Sequence, residues 1–274
     1  MMRRLMIIAL LLGGACQQPI DIDGNHSDDT DSNQDIAEAD DTAAEVADTA
    51  ADDVSGTPLP IEDVTVPGEP TVEAMSDGSF LCTPPGQGPF AGVLYNHGGL
   101  GNKVGGDLEG TCKALAKAGY VGFSKKRRET RPISGHLDDL LSGLEFLVSA
   151  AKVDGARLAL LGFSRGGFLT LQAAKKQGSQ FSGIVIMAPA PVKEQLSQEI
   201  KDLSGISAPL LLLVAENDEP HVALVAELEQ ELKAQKKDVQ SIVYPPFGRD
   251  GHALFFTVGD YWNDILVFLE PLLK

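Results

Sequence analysis

From about residue 64 onward, short apolar runs alternate with stretches whose apolar residues recur every three or four positions. Residues 90–96, 157–163, 182–188 and 209–215 are nearly continuous in apolar side chains, and Gly, Pro or polar residues bound each run. A strand with one wet face alternates apolar and polar positions, whereas an unbroken run fits a strand covered on both faces, as in a parallel sheet. Residues 120–124 and 241–244 read as two more strands. Leu137, Leu140, Leu141, Leu144, Leu147 and Val148 lie at helical spacing, as do Ile265, Leu266, Phe268, Leu269 and Leu272. The alternation predicts the α/β class: a doubly wound, mostly parallel sheet. Between the strands ending at Ala188 and beginning at Pro209, a helix over 192–203 uses most of the available chain, which leaves no room for a large cap domain.

The first 63 residues follow a different pattern. Arg3 and Arg4 precede an apolar run over 5–12 that closes in Gly13, Gly14, Ala15 and Cys16. The run is too short for a bilayer span, which needs about 20 residues, and has the form of an export signal. Cys16 directly after small residues resembles the acylation site of a bacterial lipoprotein signal, although Gly13 stands where such signals carry Leu. Residues 17–63 hold fifteen acidic residues, no Lys or Arg and no aromatic residue, and so supply most of the formal net charge of −17. Such a segment cannot bury enough apolar surface to order itself. As a flexible tether it would reach about 35–40 Å. The expected organisation is therefore a signal over 1–16, an acidic spacer over 17–63 and one domain over 64–274, in a protein exported and held at a membrane by lipid on Cys16. The acidity also disfavours a nucleic acid partner. In an oxidising compartment Cys82 and Cys112 form either a disulfide or two buried thiols, and both fit the sequence.

The chemistry-bearing residues cluster at strand ends. Gly162-Phe163-Ser164-Arg165-Gly166-Gly167 lies between a predicted strand and a predicted helix, which is the context that G-x-S-x-G requires for an exposed nucleophilic serine. The strand over 209–215 runs into Glu216, Asn217 and Asp218, placing carboxylates where sites of open α/β sheets gather. Gly251-His252 follows the last strand, and the order Ser, Asp, His is the one this type of sheet uses. Upstream, the strand over 90–96 opens into His97-Gly98-Gly99, whose backbone amides can join that of Arg165 in an oxyanion hole. The five histidines show no metal-ligand spacing, so no metal or organic cofactor is expected.

With Tyr95-Asn96-His97-Gly98-Gly99, the serine turn, Asp218 and Gly251-His252 in place, residues from about 70 to 274 resemble the α/β-hydrolase superfamily, most closely its dienelactone-hydrolase-like branch. The resemblance implies Ser164 as nucleophile, His252 as base, Asp218 as its orienting acid, and Gly99 and Arg165 as oxyanion donors. It also implies hydrolysis of a small-molecule ester. Dienelactone hydrolases proper use Cys as nucleophile, so Ser164 argues against a dienelactone substrate. A prolyl-oligopeptidase-like peptidase and a non-catalytic ligand-binding lipoprotein on the same scaffold are the competing readings.

The remaining polar residues are read more plainly. His97 shapes its loop, His136 is expected on the surface and His221 on the rim. The basic run Lys125, Lys126, Arg127, Arg128 and Arg131 falls at the sheet edge where the site should lie. It is either a solvated loop paired with acids or, through Arg128 and Arg131, a contact for an anionic substrate group.

Overall fold

The computed structural model describes residues 68–274. The expected signal with Cys16, the expected spacer over 17–63 and the expected start of the domain at residue 64 lie outside the described residues. Eight strands make one sheet: β1 (Thr71–Ala74), β2 (Phe80–Thr83), β3 (Phe90–Asn96), β4 (Val121–Lys125), β5 (Val153–Phe163), β6 (Gly183–Met187), β7 (Leu210–Ala215) and β8 (Val239–Tyr244). Their order across the sheet is β1-β2-β4-β3-β5-β6-β7-β8. From β4 to β8 every pairing is parallel, and β1 and β2 add an antiparallel edge. The four long apolar runs became β3, β5, β6 and β7, and β6 and β7 are buried at every position. Burying one Leu or Ile is worth about 1.5–3 kcal/mol, so these interior strands dominate the core.

Helices cover both faces. They are α1 (Leu108–Lys117), α2 (His136–Ser149), α3 (Arg165–Gln177), α4 (Gln195–Glu199), α5 (His221–Ala234) and α6 (Trp262–Leu273). On β4, the Gly122 face meets α1 at Leu115 while α2 packs on Phe123, one residue along and so on the opposite face. The same parity separates α6, packed on Gly183, from α3, packed on Ile186. The chain passes from β3 to β4 on one side and returns to place β5 on the other. A crevice therefore opens beyond the carboxyl ends of β3 and β5, the expected place for a site.

The helix expected over 192–203 is reduced to the five residues of α4. Val192 and Lys193 adopt positive φ of 44° and 58°, which α-helix geometry excludes, so the first turn cannot form. Among the described residues, no further element stands between β6 and β7. Cys82 on β2 and Cys112 on α1 are joined in a disulfide that pins the antiparallel edge to the helix layer. The two cysteines are 30 residues apart in sequence, and closing such a loop stabilises a fold by about 2–4 kcal/mol through the unfolded chain. Reduction, or replacement of both cysteines by Ala, should lower the unfolding free energy by that amount in denaturant titrations. A change below about 0.5 kcal/mol would show that the bond is not formed or does not constrain the unfolded chain.

Candidate active site

The turn from β5 into α3 takes one residue, Ser164, with φ 53° and ψ −121°. A non-glycine residue there carries strain of about 1–3 kcal/mol and persists only where its surroundings hold it. They do so by hydrogen bonds. The Ser164 amide donates to the Met187 carbonyl at 2.9 Å, and its own carbonyl accepts from Phe168 at 3.1 Å and Ala190 at 3.0 Å. Close packing adds to this: a β-carbon at Gly166 would lie 1.9 Å from the Asn96 carbonyl oxygen, so only glycine lets α3 begin against the end of β3. Asn96 then donates to Thr170 Oγ1 at 2.9 Å, tying the same two elements together. From Leu158 to Leu171, Ser164 is the one residue that is not buried.

Asp218 follows β7 and is 1 % exposed. Burial disfavours its charge, but hydrogen bonds from His221 and then His252 outweigh that and hold its carboxyl below the usual range. An ionised carboxylate only accepts, so both imidazoles donate from Nδ1. His252 does so to Oδ2 at 2.9 Å and His221 to Oδ1 at 2.7 Å. This leaves His252 Nε2 on the far side of the ring as the proton acceptor. His252 lies in the 3-10 turn Gly251–Phe255, where the Asp250 side chain accepts from its amide at 2.9 Å. Its ring packs 4.7 Å from that of Phe163, the neighbour of Ser164. Asn217 links the acid loop to the histidine loop: its Nδ2 donates to the Phe247 carbonyl and its Oδ1 accepts from the Phe247 amide at 2.9 Å. The structure thus brings the loops bearing Asp218 and His252 together and sets them against the serine turn.

The third wall is the loop after β3. Gly98 donates its amide to the Gly105 carbonyl at 2.8 Å, so that amide is already engaged. Its carbonyl is drawn inward by His97 Nδ1 at 2.5 Å and by Arg127 Nη2 at 3.4 Å. Carbonyl and following N–H are antiparallel across a trans peptide, so the Gly99 amide faces away from Arg127. Gly99 has φ 84°, and a β-carbon there would meet the Lys103 carbonyl oxygen at 2.3 Å. The Arg165 amide lies at the N-terminus of α3, directly after Ser164.

The basic run divides by residue. Lys125 pairs with Asp77 and Lys126 with Glu129. Arg128 is held by Asp139 through Nε at 2.9 Å and Nη2 at 2.7 Å. Arg131 is exposed beside Gly101, and its carbonyl accepts from Arg165 Nη1 at 2.9 Å, so the Arg165 side chain holds the 131 loop. Arg127 is buried under the His97 loop, and its Nη1 has no hydrogen-bond partner among the described residues. His136, expected on the surface, is buried and meets Arg127 Nε at 3.4 Å. His221, expected on the rim, is bonded to the acid. Sequence reading missed Arg127, Asn217 and His221 because each acts through a partner distant in sequence or through a turn of helix. Asp218, His221 and His252 are also a group of three potential metal ligands, with donor atoms within 4.8 Å of one another. Their Nδ1 atoms and carboxylate oxygens already satisfy one another, so a cation would have to displace two protons.

Residues 124–258 match the model of the dienelactone hydrolase family, a span that includes Ser164, Asp218 and His252. Human acyl-coenzyme A thioesterase 6 is 33 % identical over 97 residues, 34 % of this chain and 23 % of the thioesterase, so the chain spans under a quarter of that relative. An uncharacterized peptidase, YtmA of Bacillus subtilis (strain 168), is 26 % identical over 205 residues, covering 61 % of this chain and 79 % of the relative. Among solved structures, an inhibited esterase B from Lactobacillus rhamnosis superposes with a TM-score of 0.58 at 17 % identity, over 76 % of this chain and 88 % of that one. Sheet order, serine turn and these likenesses establish the α/β-hydrolase fold.

The buried histidines make stability pH-dependent. Burial first, then the Arg127 charge, push the pKa of His97 down to about 3, and the same two causes lower that of His136. An unfolded His titrates near about 6.5. Between about 6.5 and about 3 the unfolded chain therefore binds a proton that the folded His97 does not, and stability rises with pH through that window. One proton corresponds to a slope of about 1.4 kcal/mol per pH unit. His97→Asn should reduce the slope of unfolding free energy against pH by up to one proton there. An unchanged slope would mean that His97 takes up its proton in the fold.

Proposed function

We propose that this chain is a serine hydrolase that cleaves small carboxylic esters through a covalent acyl-enzyme. One observation carries the proposal: a strained serine, alone accessible in a buried strand-to-helix turn, whose neighbour Phe163 packs on a histidine with Nδ1 bonded to a buried carboxylate. In this reading His252 Nε2 takes the Ser164 hydroxyl proton as Oγ bonds to the ester carbonyl carbon. The tetrahedral oxyanion is held by the Gly99 and Arg165 amides, each such donor being worth about 10²–10³ in kcat. The intermediate collapses, the alcohol leaves with the proton from His252, and water repeats the sequence to release the acid. Asp218 holds the imidazole in the tautomer these steps require. The dienelactone hydrolase match supports hydrolysis of this kind.

The short connection between β6 and β7 supports a small substrate, since no cap is built over the site there. Each buried methylene is worth about 0.8 kcal/mol, and an open cleft cannot gather that over a long chain. The domain is further proposed to be exported and anchored through Cys16, a reading that rests on the sequence before residue 64 and is supported by the Cys82–Cys112 disulfide.

Against p-nitrophenyl esters, kcat/KM should peak at acyl chains of about two to four carbons and fall beyond about eight. Ser164→Ala and His252→Ala should each remove at least about 10⁴-fold of the activity, and Asp218→Asn up to about 10⁴-fold, with the fold retained. A rise through twelve carbons would replace the open cleft with a lipid tunnel, and faster turnover of peptide p-nitroanilides than of any ester would favour a peptidase. For the anchor, the full chain expressed in bacteria should partition with membranes, and Cys16→Ser should release it or block its processing. A mature wild-type protein without lipid on Cys16 would contradict the anchor.

A further inference from the structure

His221 opens α5 three residues after Asp218, and the first turn of that helix folds back on the acid: the Val222 amide donates to the Asp218 carbonyl at 2.9 Å. The turn carries the imidazole onto the carboxylate, where Nδ1 meets Oδ1 at 2.7 Å, shorter than the bond from His252 to the other oxygen. The two rings stack, with centroids 4.3 Å apart and planes 27° apart. Asp218 thus accepts one imidazole N–H on each oxygen. A buried carboxylate oxygen that loses its donor is left unsatisfied, and the side chain would respond by rotating toward another donor or by taking up a proton. Either response would spoil the bond to His252.

We propose that His221 is a positioning residue for the reaction: its Nδ1–H pins Oδ1 of Asp218, so that Oδ2 stays in line with His252 Nδ1 and His252 keeps Nε2 as the base. It acts through Asp218 and does not touch the substrate or Ser164. The inference rests on the hydrolase reading above and names a residue that reading does not need. Groups that orient a catalytic ligand from behind are worth about 10–100-fold in activity in metal sites, and the same scale is expected here.

Two substitutions separate the donor from the ring. His221→Phe keeps an aromatic ring against His252 but has no donor, and His221→Asn places an amide Nδ2 close to where Nδ1 lies but has no ring. The Phe variant should lose about 10–100-fold in kcat with KM nearly unchanged, while the Asn variant stays within about threefold of wild type. A second readout does not depend on turnover. In proton NMR of the Ser164→Ala protein, two imidazole N–H resonances bonded to Asp218 are expected, both lost in Asp218→Asn. Adding His221→Phe should remove one of them and speed the solvent exchange of the His252 proton, whereas adding His221→Asn should leave that exchange slow. A Phe variant with wild-type kcat and an unperturbed His252 resonance would overturn the proposal, as would an Asn variant as impaired as the Phe variant. If the wild type cleaved no ester, the hydrolase reading would fall while the resonances still decided whether His221 holds Asp218.

Discussion

A strand that turns into a helix within one residue forces that residue out of the ordinary backbone regions, and Ser164 is the residue so placed. Three hydrogen bonds to its own amide and carbonyl hold it there, from the end of β6, the loop beyond it and the first turn of α3. Close approach of Gly166 to the end of β3 ties the same turn to the His97 loop. One strained position therefore sets the distances among three strand ends. The buried runs of β3, β5 and β6 supply the rigidity that keeps the strain from relaxing, because moving the turn would shift close-packed interior strands.

The same economy governs charge. An ionised carboxylate with 1 % exposure has lost most of its hydration, a penalty of several kcal/mol. Two imidazole donors offset it, at about 1.5–3 kcal/mol for a hydrogen bond to a charged group. Each ring thus helps to keep Asp218 ionised, which couples the carboxylate to the placement of both histidines. Arg127 plays the corresponding part beneath the His97 loop. Its amide donates to His97 Nε2 at 3.1 Å, which leaves His97 Nδ1 to donate to Gly98 and so turns the next peptide outward.

The interior strands and the strand-to-helix turn at Ser164 were legible in the sequence because each rests on local signals. Buried parallel strands are unbroken apolar runs, and a serine elbow needs small residues at fixed spacing. β1 and β2 left no such trace, being four residues each and half-exposed at the sheet edge. α4 was overestimated because nothing in the composition of 192–203 announces the positive φ of Val192 and Lys193. Arg127 and His136 were misplaced for an electrostatic reason. A cation in a run of five reads as solvated, yet here its neighbours find acids and Arg127 alone turns inward. The role of His221 was within reach: a histidine three residues after the candidate acid, at the start of a helix, returns to that acid in one turn.

The central claim is that Ser164 is a nucleophile primed by His252 and Asp218, and trapping it tests this most directly. The folded protein should react with a fluorophosphonate probe in one-to-one stoichiometry. Peptide mass spectrometry should place the adduct on Ser164, with labelling slowed by orders of magnitude in His252→Ala. Absence of any adduct on folded protein, or labelling of Ser164 at an equal rate without His252, would contradict the account and leave a hydrolase scaffold that binds its ligand without cleaving it.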